Sequence, residues 1–351
     1  MLAMLSRRVL NRTLLQRQHL LERTSVPALA MTEHLVGLQA QDVLPPYLSL
    51  WSRIRDFDPA DISHALADRS AVRVLLMRGT IHLVTAEDCL ELRPSVQAML
   101  DKITRNSQLS KLAAGVPRHA LAAAGRAALA SEPLSLRSLG SALADTFPEH
   151  PPQALANTVR EMLPLVQVPP RGMWKRPGGV VYDSAEGWLG GELSTAPDMR
   201  EVVRRYLRGY GPATPADVTA WSRVTGMNQV FDAMADELVV HRDETNKVLF
   251  DLQGLPLADA DVAAPVRLLG KYDNLWLSHA DRSRVTVPEK RSRWMGLNGG
   301  TGNTIFVDGM LEGLWRHVDG HIEVETFRAL TKAERHELDA EMSALETFLA
   351  S

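Results

Sequence analysis

Cysteine, lysine and long apolar runs are all scarce in this chain. Cys89 is the single cysteine among 351 residues. That excludes a disulfide framework within the chain and any cysteine-based zinc site. It fits a reducing compartment. No stretch of about 18 apolar residues occurs, so no transmembrane helix is expected. The opening MLAMLSRRVLNRTLLQRQHLL sets arginines inside its apolar pattern and offers no small-residue cleavage site. It does not read as a secretory signal, and the expected location is the cytoplasm. Familiar catalytic signatures are missing too: no Walker A loop, no Gly-rich dinucleotide fingerprint, no His-Glu-x-x-His and no Gly-x-Ser-x-Gly elbow. No cofactor and no metal are expected.

What remains is an ordinary globular composition, 45% hydrophobic and 23% charged. At roughly 100–200 residues per domain the length suggests two or three domains. The net charge of −3 argues against a uniformly basic nucleic-acid binder but leaves room for charge segregated on one face. Only seven of the 39 basic residues are lysine. Arginine gives planar, bidentate contacts to phosphates and base edges, although a GC-rich coding sequence produces the same bias.

A loose repeat runs along the chain: helices, then a two-stranded hairpin. In the first copy Leu10, Leu14, Leu15 and Leu21 share a helical face, a second helix follows Val26-Pro27 until Pro45-Pro46 stops it, and a third opens at Asp58-Pro59. AVRVLLM (71–77) and TIHLV (80–84) flank the turn Arg78-Gly79. The second copy, about 119–190, has a helix capped by Ser135 and one opened by Pro151-Pro152, then a long basic β-hairpin over 169–184. The third, about 197–251, has a helix over 199–211 stopped at glycine, one capped at Thr214-Pro215, a third over 228–238 and a hairpin. Three helices and a hairpin form the winged helix-turn-helix pattern. Residues 265–330 instead read as short strands in a small barrel or curved sheet, followed by an amphipathic final helix. The fold class is therefore α+β. The modules divide as 1–115, 116–195 with the long hairpin, 196–260, and a β-rich 261–351.

Few residues stand out chemically. His317 and His321 straddle a hairpin tip, a poor metal site. Tyr272-Asp273-Asn274 in an apolar strand suggests a buried network or a turn. The segment Gly37-Leu38-Gln39-Ala40-Gln41-Asp42 leaves the second helix. If the backbone turns extended there, Gln39 and Gln41 point the same way. A glutamine does not titrate usefully, but it can orient a water and turn a carbonyl dipole toward positive charge.

GLQAQD, with RGTIHLV (78–84), KYDNLWLSHADRSRV (271–285) and the VDG…EGLW stretch (307–315), resembles a bacterial winged-helix family that includes the AlkZ-type DNA glycosylases. The resemblance covers nearly the whole chain. It implies three winged-helix modules arranged in a C around a DNA channel, with a β-rich scaffold. It implies excision of bulky N7-alkylated guanines and unhooking of interstrand crosslinks. The family's catalytic Gln-x-Gln motif falls on Gln39 and Gln41; a related branch carries Gln-x-Asp. The Gln-x-Gln branch is associated with antibiotic self-resistance.

The chemistry suits these residues. Cleaving a base from deoxyribose passes through an oxocarbenium-like state. An N7-alkylguanine already carries positive charge and leaves without protonation, so a placed water and suitable dipoles suffice. With no lysine near the motif in sequence, monofunctional hydrolysis is expected. Arg171, Lys175 and Arg176 are candidate phosphate contacts, with Trp174 pressing on a sugar or groove edge. Arg204, Arg205 and Arg208 on one helix, and His279 with Arg282, are further DNA-contact candidates. The expected partner is duplex DNA carrying alkylated guanine, with no membrane, and the chain is expected to act as a monomer. A winged-helix transcription regulator without catalysis is the alternative.

Overall fold

Side-chain caps set many of the helix starts. Ser6, Asp58, Ser135, Thr214 and Thr331 each accept a backbone N–H from the first turn of the helix they precede. At Thr214 and Thr331 the exchange is reciprocal, with Asp217 and Glu334 completing capping boxes. The computed structural model describes residues 4–294 and 302–351.

Three helices followed by two antiparallel strands occur three times. In the first group the helices are Ala28–His34, Leu44–Trp51 and Pro59–Ala67, and the strands Ala71–Leu75 and Ile81–Thr85. An added helix, Arg7–Arg17, precedes them. The helix Leu44–Trp51 corrects the sequence reading, which had Pro45-Pro46 only as a stop. Both prolines sit in its first turn, where the missing N–H has no intrahelical acceptor to lose. The second group is Arg118–Leu129, Leu136–Thr146 and Pro152–Met162, with strands Leu165–Gln167 and Val181–Ser184. The third is Met199–Tyr210, Pro215–Ser222 and Met227–Asp232, with strands Leu238–Asp243 and Val248–Leu252.

The strands of the first two groups merge into one six-stranded antiparallel sheet, in the order Leu38–Gln39, Ile81–Thr85, Ala71–Leu75, Leu165–Gln167, Val181–Ser184, Leu134–Ser135. The join is short: Arg73 opposes Gln167 and Val74 opposes Val166. The expected long hairpin over 169–184 is not formed. Strand pairing ends at Gln167 opposite Tyr182, with one further bond from Val168 N–H to Val181 O, and a turn-rich loop containing Pro169-Pro170 follows. Two prolines at its start remove the ladder donors an extended hairpin needs.

The strands Arg267–Leu269, Asn303–Val307, Met310–Val318 and His321–Thr326 form a four-stranded meander. Among the described residues it does not close into a barrel; its first and last strands are separate edges. The final helix Lys332–Ala350 packs against both of those strands and buries Leu338, Leu345, Phe348 and Leu349. Four strands are too few to close, and covering the sheet with a helix buries its apolar face instead. Asp273 lies in a turn after this sheet's first strand and caps the short helix Asn274–Leu277, not a strand.

The apolar core is divided. One cluster joins the first and third helical groups to the four-stranded sheet and the final helix. The second group has its own cluster, built on Leu121, Leu139, Leu155, Val159 and Tyr182. No described helix is long and apolar enough to cross a membrane.

Candidate active site

The Gln-x-Gln segment is an edge strand whose entry is fixed by glycine. Gly37 has φ +92°, and a Cβ there would lie 2.7 Å from Val84 Cγ1. The chain then runs extended: Leu38 opposes Leu83, Gln39 opposes His82, and the Ala40 N–H donates to the Ile81 carbonyl at 2.7 Å. A second clamp comes from the KYDN stretch. Asn274 Nδ2 donates to the carbonyls of Gly37 (3.0 Å) and Leu35 (3.3 Å), while the Tyr210 hydroxyl donates to Leu35 O at 2.6 Å. Asp273, next door, closes a buried ion pair with Arg53.

The two glutamines sit differently. Gln39 is only 7% exposed, whereas Gln41 is open to solvent. Gln39 Oε1 accepts from Arg78 Nη2 at 3.0 Å. Gln41 Oε1 accepts from the Ile81 backbone N–H at 3.2 Å. Both carboxamide oxygens are thus held by donors from the neighbouring hairpin, which fixes the orientation of each amide. Ala40 between them is buried, and its carbonyl accepts from Arg73 Nη2 at 2.6 Å.

Arg78 is the hub of this arrangement. It occupies the hairpin turn with φ +57°. Besides Gln39 it donates to His82 Nε2 at 3.1 Å and to the Trp221 carbonyl on the helix Pro215–Ser222. His82 Nδ1 lies 3.0 Å from Thr80 O. Burial, reinforced by the Arg78 charge, pushes His82 down to about 3, so the ring is neutral. A neutral ring can donate from Nδ1 to Thr80 O and accept at Nε2 from Arg78. Burial also lowers Arg78 and Arg73, each to about 10, which leaves both charged at neutral pH.

Beyond Arg78 lies an open groove of about 890 Å³ between the helix Gln97–Asn106 and residues 219–225. Met99, Ile103 and Val224 supply apolar walls, and Arg78, Lys102 and Arg223 supply positive charge. No carboxylate lines it among the described residues. On the other side of the motif, Asp42 forms an ion pair with Lys271. The structure therefore brings a lysine beside the motif, which sequence distance had hidden.

The expected DNA contacts are scattered, and several are already engaged. Trp174 packs its ring 4.9 Å from both Tyr47 and Phe348, and its N–H groups donate to Ser63 Oγ and Ser351 O. It sits inside a joint between segments rather than on a projecting wing. Arg204 forms a bidentate pair with Glu237 and also meets Glu201. Arg205 is paired with Asp88, and Arg208 reaches Glu201 at 3.4 Å. His279 is buried, and Arg282 Nε donates to Trp276 O. Arg171 is half-buried, while Lys175 and Arg176 are exposed, Lys175 donating to Ser351 O. Trp174, Arg204 and Arg205 thus have their binding groups spent on packing or pairing, and His279 is withdrawn from the surface by burial. Sequence reading assigned no role to Arg78, Arg73, His82 or Asn274, although RGTIHLV and KYDN contain three of them.

Known proteins resemble this chain over most of its length. An interstrand DNA cross-link repair glycosylase of Streptomyces sahachiroi is 24% identical over 357 residues, covering 89% of this chain and 88% of that protein. The solved structure of the Streptomyces sahachiroi DNA glycosylase AlkZ superposes with a TM-score of 0.84 at 23% identity, over 99% of this chain and 97% of the other. The family model described as "DNA glycosylase AlkZ-like" matches residues 32–348. The chain belongs to the AlkZ-like DNA glycosylase family, whose reaction is hydrolysis of an N-glycosyl bond.

Proposed function

We propose that this protein is a monofunctional glycosylase that releases N7-alkylated guanine from duplex DNA, with Gln39 and Gln41 orienting the attacking water. The observation that carries this reading is the paired fixing of the two carboxamides. Each oxygen is anchored on one side by a protein donor and keeps a second lone pair for a water or a developing cation. In the step itself the water oxygen bonds to C1′ while the C1′–N9 bond breaks. The bonding pair moves to N9 and neutralises the positive charge of the alkylated ring. The water's second proton goes to solvent. The products are neutral alkylguanine and an abasic site with a hydroxyl at C1′.

The Arg78 charge behind Gln39 draws electron density from its oxygen. Gln39 therefore acts through placement of the water more than through basicity, consistent with a leaving group that needs no acid. The three helix-and-hairpin groups are read as winged-helix modules arranged in a C around the duplex. Lys175, Arg176 and Arg208 retain exposed charge and are the first candidates for phosphate contacts. The name of the Streptomyces sahachiroi relative extends the reading to interstrand crosslinks, and the association of the Gln-x-Gln branch with self-resistance makes that the proposed biological role. The protein acts as a monomer without metal or organic cofactor.

The test is chromatographic release of free base from two duplexes, one methylated at guanine N7 and one crosslinked through it. Release from at least one, leaving an abasic site, is the expected outcome. Stoichiometric binding to both with no base released would move the assignment to a DNA-binding regulator.

A further inference from the structure

Arg78 is a charged side chain in a place where charge is costly. It is half-buried, and it forms no ion pair with a carboxylate among the described residues. The charged and titratable groups facing it are His82 on its own hairpin, Arg223 after the helix Pro215–Ser222, Tyr210 at the end of the helix Met199–Tyr210, and Arg282. Two of these are cations. A guanidinium half-buried in this way, beside like charge and without an anion, does not maximise stability. What it gains is three acceptors: Gln39 Oε1, His82 Nε2 and the Trp221 carbonyl.

Those acceptors lie on different parts of the fold. Gln39 is on the edge strand, His82 on the central hairpin and Trp221 in the third helical group. His82 and Gln39 face each other directly across the ladder. Arginine donates only, so the atom it meets on Gln39 must be the oxygen. The contact therefore decides which end of the carboxamide faces inward and leaves the amide NH2 turned the other way.

We infer that Arg78 is a positioning residue for Gln39: it locks the carboxamide orientation that the hydrolytic step uses, and ties that orientation to the helix Pro215–Ser222. The inference rests on the reading of Gln39 as a water-orienting group. It goes beyond that reading in assigning the lock to a hairpin-turn arginine and in making the site depend on the third helical group.

The test uses single-turnover release of 7-methylguanine by the full chain and by Arg78→Met and Arg78→Lys, with duplex affinity and thermal midpoint measured alongside. Arg78→Met removes all three donors. It is expected to lose about 10²-fold in rate, the usual cost of misplacing a reacting group by an ångström, with duplex affinity kept within about threefold. Arg78→Lys keeps a donor only while the amine is protonated. Burial and the neighbouring Arg223 and Arg282 lower a lysine's pKa at this position. Its rate is therefore expected to fall as pH rises from about 6 to about 8.5, while the wild-type rate stays flat, because arginine keeps its proton over that span. A purely structural role would lower the thermal midpoint of both variants without creating a pH profile in Arg78→Lys. That result, or a wild-type rate in Arg78→Met, overturns the inference. Gln39→Ala run in the same series separates the two claims: loss in Gln39→Ala with a full rate in Arg78→Met sinks the positioning role alone, and full rates in both sink the reading of Gln39 as well.

Discussion

Asp273 closes a two-pronged ion pair on Arg53, both bonds 2.8 Å long, with neither side chain exposed to solvent. Gln18 Oε1 and Ser49 take further guanidinium protons, and Asp273 also caps the helix that carries Asn274. The pair thus sits one residue from the side chain that clamps Gly37 and Leu35, just ahead of the glutamine motif. Removing one partner leaves a buried charge uncompensated. Asp273→Ala is expected to cost about 3–5 kcal/mol of folding stability, read from urea midpoints. A loss below about 1 kcal/mol would show that the pair is not needed to hold this junction.

Gly37 leads the chain into the motif with φ +92°, and its missing Cβ would meet Val84 Cγ1 and the Leu83 carbonyl. Gly37→Ala is expected to lose about 1–3 kcal/mol of stability. It is also expected to slow base release, because the strain falls on the ladder that aligns Gln39 with His82. Unchanged release kinetics in a destabilised variant would mean that the alignment survives through Asn274 alone.

His82 sets a pH dependence with a definite sign. Its ring is neutral in the fold down to about pH 3, while an unfolded histidine takes a proton below about pH 6.5. Between those values the unfolded chain binds the extra proton. This histidine's contribution is complete above the unfolded value and is lost as pH falls, by about 1.4 kcal/mol per pH unit. Buried His279, held low in the same way, adds to the slope. Urea midpoints at about pH 7 and about pH 5 should drop less in His82→Gln than in the wild type. Equal drops would contradict the assignment of a buried neutral ring.

Lys271 is the basic residue that the fold places beside Asp42. Hydrolysis by water needs no amine, so Lys271→Ala is expected to keep base release within about threefold, the scale of losing an exposed ion pair. Borohydride added during turnover should trap no covalent complex between protein and DNA. A trapped complex that disappears in Lys271→Ala would convert the enzyme to a Schiff-base lyase.

Local signals were the readable part of the sequence. Asp58, Ser135, Thr214 and Thr331 announce helix starts through chemistry confined to four residues. The hairpin around Arg78-Gly79 was legible for the same reason, whereas the extended path of Gln39 was only one of the paths open to a segment leaving a helix. Pro45-Pro46 was ambiguous, because proline both ends one helix and suits the first turn of the next. What could not be read was pairing between distant segments. Arg204 looks like a free cation on an amphipathic helix until Glu237 is folded against it. Trp174 looks like a wing tip until Phe348 arrives from the last turn of the chain. Arg78 stands 39 residues after Gln39 in sequence and 3.0 Å from it in space. The open edge of the four-stranded sheet was hidden as well, since strand count and covering helix are tertiary properties.

The most direct test of the account compares single-turnover release of 7-methylguanine by the wild type, Gln39→Ala and Gln41→Ala on one methylated duplex, with binding measured on the same DNA. The account predicts release by the wild type, a loss of about 10²-fold or more in each variant, and unchanged binding. Wild-type rates in both variants would contradict it.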